Sequence, residues 1–70
     1  MKKDILIKFG ERIRSLRDAK DWSQEELAEK TGFHRTYIGM IERGERNLSL
    51  KNIEKFADVF KMSVSKLLEL

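Results

Sequence analysis

Arg35, Thr36, Gly39, Met40 and Arg43 are spaced to share one face of a short helix. At about 100° per residue they span about 140° of the wheel, and Tyr37, Ile38 and Ile41 take the opposite side. The stripe holds two guanidinium groups, a hydroxyl, a thioether and a bare glycine, with no nucleophile–base pair among them. Its chemistry is recognition. An Arg fork can meet two coplanar acceptors, such as O6 and N7 of guanine in a DNA major groove, worth about 1–3 kcal/mol of discrimination. Thr can donate to a base or touch a thymine methyl, and Met offers apolar contact. Each position also has a plainer reading: a solvated Arg35 at a helix start, a Thr36 decorating the first turn, a tolerated Gly39, a packed Met40.

The rest of the composition narrows the classes. There is no Cys and a single His, so disulfides, thiol nucleophiles and Cys- or His-cluster metal sites are excluded. Neither a cofactor nor a metal is expected, and the chain is not expected to be an enzyme. His34 as a metal ligand has nothing to complete its site. The longest uncharged run is Thr36–Ile41, far short of a membrane span. The basic N-terminus is followed by only three apolar residues, so no signal segment is expected and the location should be cytoplasmic. The net charge of +3 is segregated: residues 1–20 carry +4, residues 21–34 carry −3 and residues 35–51 carry +2. Such segregation suits a polyanionic partner.

These residues must be held by helices, and capping chemistry marks the starts. Apolar steps of three and four at Leu6, Phe9, Ile13 and Leu16 predict a helix from about Asp4 to Lys20, with Gly10 as a weak point of about 1 kcal/mol against Ala. Ser23 and Glu26 form a capping box, with Trp22 and Leu27 at staple spacing, and Gly32 ends that helix near Thr31. A third helix fits from His34 or Arg35 to Arg43, stopped by Gly44. Ser49 and Ser63, flanked by Leu48/Ile53 and Met62/Leu67, open helices over about Leu50–Phe60 and Val64–Leu70. The fold class is all-α, in one small domain over residues 1–70. Residues 24–43 form a helix-turn-helix within it.

At this point Gln24-Glu25-Glu26-Leu27-Ala28-Glu29-Lys30-Thr31-Gly32 and Tyr37-Ile38-Gly39-Met40-Ile41-Glu42-Arg43-Gly44 come into register. The chain resembles the Cro/repressor-type helix-turn-helix of lambdoid phage repressors and the xenobiotic-response-element family. The matching small and apolar positions are Ala28, Gly32, Ile38 and Ile41, and the likeness runs from about Phe9 to the C-terminus. More narrowly, Arg35-Thr36-Tyr37-Ile38 and Glu42-Arg43-Gly44-Glu45-Arg46-Asn47 are similar to controller proteins of restriction–modification systems. The resemblance implies a five-helix lambda-repressor-like fold and a sequence-specific transcriptional regulator of double-stranded DNA, repressor or activator. It implies that Arg35, Thr36, Gly39 and Met40 face base edges and that Gln24 meets a phosphate at a helix N-terminus. Arg43, Arg46 and Asn47 would follow the DNA backbone, though Asn47 also suits a turn. Tyr37 belongs by default to the core, with a hydroxyl able to reach a phosphate. Arg17 and Glu42 match a family ion pair. His34 departs from the pattern, standing where many relatives carry an Asp, Ser or Thr cap.

The last two helices are richer in apolar residues than one side of a small core requires. Phe56, Val59, Phe60, Val64, Leu67, Leu68 and Leu70 are expected to form the interface of a two-fold homodimer over about residues 50–70. No small-molecule effector is expected, since no residues remain for an effector domain. Glu25, Glu26 and Glu29 are either plain surface or a contact for RNA polymerase. A rival reading is a protein-interaction module, an antitoxin or adaptor, on the same fold. An RNA-binder fits less well, because five of the six aromatics belong to apolar stripes or staples and only Phe33 stands in a turn.

Overall fold

The computed structural model describes residues 4–70. The expectation for the basic N-terminus partly concerns residues 1–3, which lie outside them. The chain folds as α1 (Ile5–Ala19), α2 (Gln24–Thr31), α3 (Arg35–Glu42), α4 (Leu50–Val59) and α5 (Val64–Leu67), with no strand among the described residues. None of these helices is long and apolar enough to cross a membrane.

Every helix starts on a side-chain cap. Asp4 accepts from the Leu6 amide at 2.7 Å, and Ser23 and Glu26 close the full capping box at 3.0 and 2.9 Å. Ser49 and Ser63 cap the Asn52 and Lys66 amides. Each cap satisfies an amide that the helix itself cannot, typically for about 1 kcal/mol. Gly32 leaves α2 with φ +80, turning the chain toward α3.

Helix α5 is shorter than its apolar pattern suggests. It ends at Leu67, with Leu68 as the capping residue, and Leu68 and Leu70 are exposed beyond it. Arg12 of α1 holds this end, donating from Nε to the Leu67 carbonyl (3.1 Å) and from Nη2 to that of Lys66 (3.0 Å).

Gly10 does not interrupt α1. It is buried where α1 crosses α3, and a Cβ there would strike the Ile41 carbonyl oxygen and stand 2.7 Å from that of Glu42. The core gathers Phe9, Ile13, Leu27, Ala28, Ile38, Ile41, Phe56, Ala57, Phe60 and Leu67 from all five helices and their caps. Each large member adds roughly 1.5–3 kcal/mol of burial. Phe9 meets Phe56 edge-on, and Trp22 stacks on Phe60 at 5.7 Å. Phe33, in the turn, packs 5.4 Å from Phe56.

This core corrects the expected dimer surface. Phe56 and Leu67 are fully buried and Phe60 nearly so, within the chain's own interior. Phe9, Phe33 and Trp22 cover the two aromatics, and Leu67 is buried as well, so these three offer no surface to a second copy.

Candidate DNA interface

Helix α3 lies across α1 with Ile38 and Ile41 buried, which fixes its polar face outward. His34 supplies its cap: Nδ1 accepts from the Thr36 amide at 3.2 Å. The imidazole therefore takes the capping place that the resemblance gives to an Asp, Ser or Thr. This cap orders the turn bearing Arg35 and Thr36, both exposed.

The helix is anchored from behind by a partly buried network. Arg17 donates to Glu42 from Nε at 2.7 Å and from Nη2 at 3.0 Å, and its Nη1 reaches the Trp22 carbonyl at 2.8 Å. Gln24 Nε2 adds a third bond to Glu42 at 3.1 Å. Hydrogen bonding to Glu42 raises the Arg17 pKa above its ordinary value, outweighing the opposing effect of burial. One carboxylate thus ties α1, α2 and α3 together.

On the outer face the cations lean on the chain's own groups. Arg35 Nε lies 3.7 Å from Glu25. Arg43 makes a fork with Glu45, Nε to Oε2 at 3.0 Å and Nη2 to Oε1 at 3.2 Å. That bond raises the Arg43 pKa. Arg46 lies over the Tyr37 ring at 5.2 Å, and the Tyr37 hydroxyl accepts from Asn52 Nδ2 at 2.9 Å, leaving its own proton free to donate outward. Gly39 is not an open patch of backbone. Arg43 Nη1 and Gln24 Oε1 lie 3.2 and 3.8 Å from where its Cβ would stand.

Gln24 and Arg43 lie beside Gly39, Arg35 lines a shallow depression with Gln24 and Glu25, Thr36 is exposed on the same first turn, and Tyr37 touches both Arg46 and Asn52 of α4. Met40 is half-buried at the edge of the stripe. Asn47 stands apart, exposed at the rim of an apolar groove of about 190 Å³ lined by Ile5, Leu6, Leu48, Ile53, Leu68 and Leu70. At the start of α2, an anion meets opposition from the exposed Glu25 and Glu26. Glu45 and Asn52 were not legible as site residues, because each acts from outside the α3 stripe.

Two short helices about a glycine turn, the second with an apolar back and a cationic front, define a helix-turn-helix DNA-binding domain. Residues 13–67 match the family described as Helix-turn-helix (HTH_3), and the chain belongs to that family of regulators. It is 48% identical over 65 residues to the control protein C.SmaI of Serratia marcescens, covering 93% of this chain and 77% of that protein. Its fold is similar to the restriction–modification controller C.AhdI of Aeromonas hydrophila, with a TM-score of 0.84, 50% identity and coverage of 89% and 94% of the two chains. A structure of C.Esp1396I bound to a 25 base pair operator site gives a TM-score of 0.83 at 35% identity, covering 97% of this chain and 90% of that one.

Proposed function

We propose that this regulator binds a two-fold operator in double-stranded DNA as a homodimer, acting as the controller of a restriction–modification system. The observation that carries the reading is the capped first turn of α3. Arg35 and Thr36 project from it, exposed, while buried Ile38 and Ile41 and the Arg17–Glu42–Gln24 network fix the helix behind them. Likeness to a controller solved on its operator supports it. Arg35 reads a guanine edge with Thr36 beside it, and Met40 supplies apolar contact at the margin. Gly39 lets the Arg43 and Gln24 side chains lie flat across the helix. Gln24, Tyr37, Arg43 and Arg46 meet the phosphates, which fix register but carry no sequence. Asn47 reaches the backbone from the far end of the segment after α3.

The dimer forms through the apolar surface left over by the core. Leu68 and Leu70 carry it, 39% and 48% exposed, beside Ile53 and Leu48, with Val64 half-buried nearby in sequence. Val59 borders a separate depression with Trp22 and Lys61 and stays outside this interface. Two copies so joined would set their α3 helices about 34–36 Å apart, in successive major grooves. Sedimentation at tens of micromolar should show twice 8.3 kDa. Leu68→Asp should weaken that association more than tenfold, by placing a carboxylate in the apolar patch. Observation of 8.3 kDa species alone for the wild-type chain would remove the dimer. Glu25, Glu26 and Glu29 all stand exposed on α2, as plain surface or as a contact for RNA polymerase.

The test is selection of bound duplexes from a random library at about 150 mM salt, a condition where phosphate contacts alone bind weakly. Recovery of a two-fold site with half-sites one helical turn apart is the expected result. Against that site, Arg35→Ala should lose about 1–3 kcal/mol of discrimination and keep most binding to random sequence. Arg46→Ala should weaken all DNA alike and lower the salt slope by about one. A library that yields no motif, together with co-purification of a stoichiometric protein, would move the reading to a protein-interaction module.

A further inference from the structure

We propose that Glu45 is an intramolecular competitor for DNA, holding Arg43 folded against the recognition face until a phosphate displaces it. This rests on the DNA-binding reading above. Arg43 and Glu45 are two residues apart, a spacing that does not bring side chains together within a helix. They meet because the chain leaves α3 at Gly44, whose φ of +75 turns the backbone back on itself. The Glu45 amide then donates to the Met40 carbonyl at 2.9 Å and the Gly44 amide to that of Ile41 at 3.0 Å, fixing Glu45 beside the last turn. From there its two carboxylate oxygens accept from Nε and Nη2 of Arg43, the same fork geometry a phosphate would take. Nη1 settles onto Gly39, where any side chain would stand 3.2 Å from it. Glycine is the seat and Glu45 the latch.

Both side chains are about half exposed, so the latch is weak and readily exchanged. Phosphate contacts carry no base information, so releasing the latch should tighten all DNA by one factor. Binding of a 25-base-pair random duplex and of the best duplex recovered by selection would be measured for the wild-type chain and for Glu45→Gln. Glu45→Gln is expected to tighten both about threefold and to steepen the salt slope by a fraction of one contact. In an Arg43→Gln background the same change should do nothing. An equal gain with Arg43 absent would show simple charge repulsion, and no gain with Arg43 present would show that DNA does not compete for this arginine. Either result overturns the latch. The DNA-binding reading is judged separately, on whether the wild-type chain binds duplex at all; a wild-type chain that binds neither duplex overturns both.

Discussion

Gly10→Ala is expected to lower the thermal midpoint by about 15 °C, a loss of about 3 kcal/mol in a domain this small. Helix propensity alone points the other way, since Ala is favoured over Gly by about 1 kcal/mol inside a helix. The crossing decides the sign. At Gly10 the backbones of α1 and α3 touch, and the new methyl would meet the Ile41 and Glu42 carbonyl oxygens and the Glu42 carbonyl carbon at 2.9 Å. None of these is the end of a flexible side chain. The helices must separate, and separation opens gaps around Ile13, Ile38 and Ile41, which are at most 1% exposed. Gly39→Ala is the control. It makes the same change in propensity, but its methyl meets only the far ends of the Arg43 and Gln24 side chains, and Arg43, the nearer, can swing away. Its midpoint should rise by a few degrees. Thermal melts of the two variants side by side separate crossing from propensity; a Gly10→Ala midpoint within 5 °C of wild type would show that α1 slides freely on α3.

The contrast between the two glycines also marks how far the chain was readable before it was folded. Features set by neighbours in sequence were legible: Ser23, Ser49 and Ser63 cap as their spacing predicts, and Gly32 ends α2 in the left-handed region. The polar stripe of α3 was legible because Ile38 and Ile41 had to be buried. The Arg17–Glu42 pair, 25 residues apart, came from family resemblance alone, and its geometry is now explicit. What the sequence left hidden depends on which surfaces meet. A helical wheel shows that α4 is apolar over half its girth, yet not which half faces its own core. Hence the wheel offers Phe56 and Phe60 to a partner, although Phe9, Trp22 and Phe33 already cover them. Gly10 read as a weakness because its reason is α3, some thirty residues away. His34 read as a departure, and its Nδ1 fills the capping role with different chemistry.

Glu42→Gln carries the largest expected loss of fold and function together. Glu42 is 4% exposed at its side chain and accepts from Arg17 twice and from Gln24 once. An amide of the same shape keeps one acceptor and turns the other position into a donor, facing donors already there. The Arg17 guanidinium, 11% exposed, would keep its charge and lose its closest carboxylate, left with the Trp22 carbonyl and with Asp18 at 3.4 Å. Breaking a buried pair from one side costs about 3–5 kcal/mol, so a domain of this size should be largely unfolded at 37 °C. Removing both charges is a different experiment. Arg17→Met with Glu42→Leu replaces the pair by apolar groups of similar length and should recover most of the stability, since desolvation offsets much of what a buried pair gains. DNA binding should not recover with it. The apolar pair cannot hold Gln24 at the front of α2, nor fix α3 through directed bonds at 2.7–3.1 Å. Urea unfolding and duplex binding on the same double variant distinguish the two roles. Wild-type affinity from the double variant would mean that the network serves folding alone; a stable protein with DNA affinity reduced about tenfold would mean that it places the recognition helix.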